Sequence, residues 1–238
     1  MSCTVVSNSK YLCVSCQNIS EEKSRRCKKC NAIFSIVKIP ASVQVSLPKP
    51  KTASEIMKRK AIGKPLKGFE FIGSLPKKFS MVIHGEPGSG KSYFALQIAD
   101  AIANNSKRKT YYVTSEEELE NLDFQNKIEY CEPSENLIFE SVKNKKEFLK
   151  LIRNNSANII VDSISDLGIT AKEIKEFREE IGTFIYILHV TKDGDYRGTT
   201  QLIHDPQVQI VVAKGIAKTK KNRFGMSGQE YEIFTKED

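Results

Sequence analysis

Gly85-Glu86-Pro87-Gly88-Ser89-Gly90-Lys91-Ser92 satisfies the pattern G-x-x-x-x-G-K-[ST] at every fixed position. No other feature of the chain restricts its fold as much, because this loop works only between a buried strand and a helix. Phe79-Ser80-Met81-Val82-Ile83-His84 supplies an apolar run suited to such a strand. After it, Phe94, Ile98, Ala101 and Ile102 fall on one face of a helix. The glycines let backbone N–H groups turn inward around phosphate, and the helix N-terminus adds partial positive charge. In that setting Lys91 reaches the β- and γ-phosphates of ATP, and the Ser92 hydroxyl holds Mg²⁺.

The 238 residues suffice for one sizeable core and a small appendage. An apolar share of 39% with 28% charged residues describes a globular chain. No apolar run reaches the roughly 18 residues of a membrane span, and no charged-then-apolar leader opens the chain. A cytoplasmic protein with no membrane partner is the expectation. The net charge of +8 is unevenly placed. Residues 1–70 hold 14 Lys/Arg against 4 Asp/Glu, leaving 23 against 25 in the rest. This points to a polyanion-facing appendage, although a solubilising basic linker fits the same composition.

Four of six cysteines form Cys13-x-x-Cys16 and Cys27-x-x-Cys30, with ten residues between the pairs. Two such knuckles aim four thiolates at one tetrahedral Zn²⁺. Disulfides and a redox pair are the competing uses. A nucleotide-binding chain in a reducing compartment disfavours the first, and a redox site needs only one pair. Cys3 and Cys131 lack partners at ligand spacing. The expected division is a zinc ribbon at 1–38, a basic proline-containing linker at 39–65, and a nucleotide-binding domain at 66–238. A short helix is expected over Ala53–Ala61.

Beyond the loop, strands are expected at Thr110–Thr114, Asn136–Glu140, Asn158–Asp162 and Phe184–Val190. They alternate with helices at Glu117–Lys127, Lys146–Asn154 and Ala171–Ile181. This is an α/β pattern with a mostly parallel central sheet. Val208–Lys214, Ile216–Lys221 and Tyr231–Thr235 read as closing antiparallel strands. Asp162 ends an apolar strand, the place of an acid that orients Mg²⁺. Glu116 follows another strand and is the candidate base for the attacking water, although Glu116-Glu117 equally suits the first turn of a helix. His189, Thr191 and Lys192 end a third strand. A γ-phosphate sensor and a satisfied core histidine are equal readings of His189, and Lys192 is a candidate for phosphate or nucleic acid. His84 reads as structural.

Taken in order, these features resemble the bacterial RadA (Sms) family of RecA-like ATPases. The resemblance rests on the cysteine pairs, the basic linker, the P-loop, Val113-Thr114-Ser115-Glu116-Glu117, Val161-Asp162-Ser163 and His189-Val190-Thr191-Lys192-Asp193-Gly194. Its most specific element is Lys221-Asn222-Arg223-Phe224-Gly225, identical to that family's K-N-R-F-G signature. The resemblance implies a RecA-like core and Mg²⁺-dependent ATP hydrolysis through Lys91, Ser92, Glu116 and Asp162. It also implies single-stranded DNA as partner, in recombination or repair and through branch migration. Lys221 and Arg223 match positions tied to DNA or to a neighbouring subunit's nucleotide, and a solvated hairpin is the plain reading of residues 218–223. Family members continue into a Lon-protease-like domain that this chain does not extend to. A weaker, ligand-dependent homo-oligomer is therefore expected. The alternative is an ATP-gated adaptor that recruits a replicative helicase or a recombinase.

Overall fold

The structure, a computed structural model, describes residues 10–13, 15–16, 18–31, 36–39, 50–58, 63–153, 157–189 and 201–235. The expected site residue Lys192 lies outside them, as does Cys3. The chain separates into two compact units, 1–60 and 61–238.

In the first unit, β1 (Lys10–Cys13) pairs antiparallel with both β2 (Ile19–Ser20) and β3 (Ile36–Ile39), in the order β2-β1-β3. So small a sheet buries few apolar side chains, and its knuckles are shaped by backbone bonds. The Cys13 amide donates to the Asn18 carbonyl at 2.9 Å, and the Asn31 amide to the Cys27 carbonyl at 2.9 Å. Helix α1 (Ala53–Met57) starts at a capping box, in which the Glu55 amide donates to the Thr52 hydroxyl and the Thr52 amide to the Glu55 carboxylate. It buries no residue, and the cap stabilises its single turn.

The second unit opens with β4 (Lys64–Pro65), paired antiparallel to β5 (Ser74–Leu75). Its core is an eight-stranded sheet made of β6 (Ser80–Gly85), β7 (Thr110–Thr114), β8 (Leu137–Ser141), β9 (Asn158–Asp162), β10 (Phe184–His189), β11 (Val208–Ala213), β12 (Ile216–Asn222) and β13 (Glu230–Glu232). The order is β13-β12-β11-β6-β10-β9-β7-β8. All pairs from β11 to β8 are parallel, and β12 and β13 add antiparallel at one edge. Between the strands run α2 (Lys91–Asn105), α3 (Leu122–Cys131), α4 (Lys145–Arg153), α5 (Ala171–Glu180) and α6 (Gln201–His204).

The central strands are apolar without alternation because both faces are covered. Met81, Ile83, Ile160, Ile185 and Ile187 pack on one face with Phe94 and Ile98 of α2 and Phe124 of α3. Val82, Ile159, Val161, Phe184 and Tyr186 pack on the other with Phe148 of α4 and Ile174 and Phe177 of α5. The Lys214–Gly215 turn joining β11 to β12 has positive φ at both residues, as a two-residue hairpin of right-handed twist requires.

Two expected bounds are corrected. The helix expected from Glu117 begins at Leu122, because the amides of Glu116 and Glu117 bond to the Thr114 hydroxyl and hold the chain in a turn. The last strand stops at Glu232, after which the Ile233 amide bonds to the Gly215 carbonyl. β11 is also a mixed strand, parallel to β6 on one side and antiparallel to β12 on the other.

Candidate functional site

Parallel strands bring their C-terminal ends to one edge of the sheet, and here that edge gathers Gly85, Thr114, Asp162 and His189. The P-loop leaves β6 at Gly85, where a Cβ would stand 2.1 Å from the Val212 carbonyl oxygen, so only glycine fits. Gly90 caps α2 with φ of 103°, a left-handed conformation open to glycine. Between them lie Glu86, Pro87, Gly88 and Ser89, and the Glu86 carbonyl accepts from the Lys91 Nζ at 2.7 Å. Lys91 is only 5% exposed. Burial pushes its ammonium pKa down, against the charges of Asp162 and Glu116 nearby.

Ser92, the second residue of α2, hydrogen-bonds Asp162, which is buried at the end of β9. Tyr112, fully buried on β7, donates its hydroxyl to Asp162 Oδ2 at 2.8 Å. Burial lifts the Asp162 carboxyl above its ordinary range, and the bonds from Ser92 and Tyr112 work the other way. A serine hydroxyl beside a carboxylate is a hard-oxygen donor set that suits Mg²⁺.

Glu116 lies in the turn after β7 and not in a helix, which removes the reading of it as a first-turn residue. His189 Nε2 meets its Oε1 at 2.6 Å, and the Ser163 hydroxyl donates to the same oxygen. The His189 bond above all, then Ser163 and the Lys91 charge, hold its carboxyl below the usual range, while partial burial opposes them. Ser115 braces the arrangement: its amide donates to the Asp162 carbonyl at 2.8 Å and its hydroxyl to the Ser163 carbonyl at 2.7 Å. Lys91, Ser92, Glu116, Asp162 and His189 thus share one edge. Glu117 instead pairs with Lys127 at 2.6 Å. His84 is buried with its Nε2 2.8 Å from Gln209 Nε2, and burial, then the charges of Lys220 and Lys91, lower its pKa to about 4.

The signature at the end of β12 serves largely as a clasp. Lys221 donates to the carbonyls of His204 at 2.5 Å and Pro206 at 2.9 Å. The Asn222 amide nitrogen donates to the Ile72 carbonyl at 2.9 Å, and its oxygen accepts from the Phe224 and Gly225 amides. Phe224 packs edge-on against Phe79, and a Cβ on Gly225 would lie 2.8 Å from the Ile72 oxygen. Arg223 is exposed, with no side-chain partner among the described residues.

In the other unit, the four thiol sulfurs of Cys13, Cys16, Cys27 and Cys30 all lie within 4.8 Å of one another. Cys13 and Cys30 approach to 3.7 Å and Cys16 and Cys27 to 3.5 Å, and none is in a disulfide. A tetrahedral thiolate site with Zn–S bonds of about 2.3 Å has edges of about 3.8 Å. The donor set is compatible with zinc.

Sequence reasoning missed Tyr112, Ser115 and Ser163. Strand periodicity puts Tyr112 and Thr114 on one face, paired with Ile160 and Asp162, so the Tyr112 contact was within reach of the register alone.

Glycine loop, sheet order and strand-end acids define an α/β P-loop ATPase fold of the RecA type. A solved structure of the same fold is the flagellar accessory protein FlaH from Methanocaldococcus jannaschii, with a TM-score of 0.52 and 16% identity over 68% of this chain and 87% of that one. A family model described as Schlafen group 3, DNA/RNA helicase domain, matches residues 78–163. Within this class the chain is RadA-like. It is 27% identical to the DNA repair protein RadA of Rickettsia typhi over 92% of its own length, and 27% identical to that of Bacillus subtilis over 93%. The RadA of Aquifex aeolicus is 29% identical over 68% of the chain. The chain spans 56% of the Rickettsia typhi and Bacillus subtilis proteins. No helix among the described residues is long and apolar enough to cross a membrane.

Proposed function

We propose that this protein is a Mg²⁺-dependent ATPase that acts on single-stranded DNA in recombination or repair, in the manner of a branch-migration motor. The observation that carries the reading is the meeting of Lys91, Ser92, Asp162 and Glu116 at one sheet edge, directly over the phosphate loop. Amides of Gly88 to Ser92 and the Lys91 ammonium bind the phosphates. Ser92 and Asp162 would hold a Mg²⁺ ion, which would supply neutralisation of the phosphate charge. Glu116, kept ionised by its partners, accepts the proton of the attacking water. His189 orients that carboxylate.

The relatives' role in DNA repair and the identical K-N-R-F-G signature support DNA as the partner. Arg223 is the member of that signature free to reach a DNA phosphate or a neighbouring subunit's nucleotide. The ribbon's four cysteines would hold a zinc ion that supplies its folding energy.

The test is the steady-state ATPase rate with and without single-stranded DNA. DNA-stimulated, Mg²⁺-dependent turnover is expected. Turnover indifferent to DNA would transfer the reading to the ATP-gated adaptor of a helicase or recombinase, and absence of turnover would end the motor proposal.

A further inference from the structure

Directly beside the phosphate loop stands an aromatic cluster that the ATPase chemistry does not use. Phe234 follows β13 and is 41% exposed. Its ring packs against Tyr93 with centroids 5.1 Å apart and against Tyr130 at 5.7 Å, and those two rings meet at 5.4 Å. All three contacts are edge-to-face, with interplanar angles of 69°, 69° and 85°. Tyr93 is the residue immediately after Ser92, so the cluster begins where the phosphate loop ends.

The ring is held in place. A Cβ on Gly90 would fall 3.2 Å from Phe234 Cε2, and one on Gly215 would fall 2.8 Å from Cδ2, so two glycines leave the room that this ring occupies. The Ile233 amide donates to the Gly215 carbonyl at 2.8 Å, and Gln97 Nε2 donates to the Ile233 carbonyl at 3.0 Å. Two residues before Ile233, Tyr231 stacks on Phe69 and Phe71, with centroids 4.9 and 5.5 Å apart. A single exposed phenylalanine needs no explanation. A fixed one, backed by two tyrosines and lying on the last glycine of a phosphate loop, is a preorganised flat apolar surface next to an anion site.

We infer that Phe234, backed by Tyr93 and Tyr130, stacks on the base of the nucleotide whose phosphates the loop holds. This deepens the ATPase reading and rests on it. A bound nucleotide is fixed at its phosphates near Gly90 and Lys91, and its nucleoside end must leave the cradle over neighbouring surface. Aromatic rings accept any base by its π-face, and each such stack contributes a factor of roughly 5 to 150 in affinity. The ring therefore adds affinity for the nucleoside without touching the phosphates.

Calorimetric titration of the full chain with ADP and, separately, with inorganic tripolyphosphate, both with Mg²⁺, tests the inference. Phe234→Leu keeps the apolar volume and removes the π-face, and Phe234→Tyr keeps both. The expected result is ADP affinity lowered roughly 5- to 150-fold in Phe234→Leu and retained in Phe234→Tyr, with tripolyphosphate binding unchanged in both. Parallel loss of ADP and tripolyphosphate in Phe234→Leu would overturn it by making the ring a mere support for Gly90. Unchanged ADP affinity would overturn it too, and if self-association measured by light scattering changed as well, the face would be a contact between copies of the chain. A wild-type protein that binds neither ligand would remove the ATPase reading itself, and this inference with it.

Discussion

Glu116 and His189 come from the ends of two strands that are not neighbours in the sheet, and their side chains meet at 2.6 Å over the end of β9 between them. The same carboxylate oxygen accepts from Ser163, and the second oxygen is not engaged by either group. A carboxylate fixed through one oxygen keeps the other for a water molecule. The pair therefore sets both the orientation and the charge of the proposed base.

Replacing His189 by Ala removes the principal hydrogen bond that keeps the Glu116 carboxyl below its ordinary range. Its pKa then rises, so a higher pH is needed to keep the base ionised. The acid limb of the pH–kcat profile should move to higher pH, with kcat reduced at neutral pH and the KM for ATP little altered. An unshifted acid limb would separate His189 from Glu116 functionally.

Glu116→Gln retains the shape of the side chain but cannot accept a proton. ATP binding should persist while kcat falls about 10²- to 10⁴-fold, the span of general-base contributions. Lys91→Ala should abolish turnover by removing the charge beside the β- and γ-phosphates. Wild-type rates in Glu116→Gln would take that residue out of the mechanism.

Tyr112→Phe removes one of two hydrogen bonds that favour ionised Asp162, whose carboxyl burial already pushes upward. The Mg²⁺ concentration for half-maximal activity should rise, and most at the acid end of the pH range. Equal Mg²⁺ dependence in variant and wild type, at every pH, would show that the tyrosine only fills space.

Protein purified without chelator should carry about one equivalent of zinc per chain. Cys27→Ser should lose it, because three thiolates leave the tetrahedron incomplete. A metal-free chain with the four thiols titratable and the ribbon still folded would contradict the zinc assignment.

Lys221 and Arg223 should separate cleanly. Lys221→Met breaks two bonds to the His204 and Pro206 carbonyls, at a partly exposed site, and should lower stability by about 1 kcal/mol. Arg223 has no side-chain partner among the described residues, so Arg223→Ala should leave stability within about 0.5 kcal/mol while reducing stimulation by DNA. Thermal melts and DNA-dependent ATPase rates together decide the matter, and a reversed pattern would refute the division.

The parts that were legible in the sequence are local. The loop, its flanking strand and helix, and strands β7 and β9 followed from adjacent residues, because periodicity and glycine chemistry act over a few positions. Two C-x-x-C pairs likewise announce a four-thiol cluster from spacing alone. What escaped depends on contacts across long stretches of chain. Nothing near Asn222 states that its amide will seek the Ile72 carbonyl, so a signature that reads as a basic DNA-facing stretch proved to contain a structural clasp. The start of α3 was misplaced for a related reason: two acids favour a first helical turn, yet the Thr114 hydroxyl competes for their amides.

The β11–β12 hairpin is fastened at both ends. At its turn the Gly215 amide bonds to the Ser89 carbonyl in the phosphate loop at 3.1 Å, and at its base Asn222 grips Ile72. In mechanical terms it is a beam with two anchors, and the seven residues of β12 give it a span of about 20 Å. One strand thus carries at one end a bond to Ser89 of the phosphate loop and at the other the segment that presents Arg223.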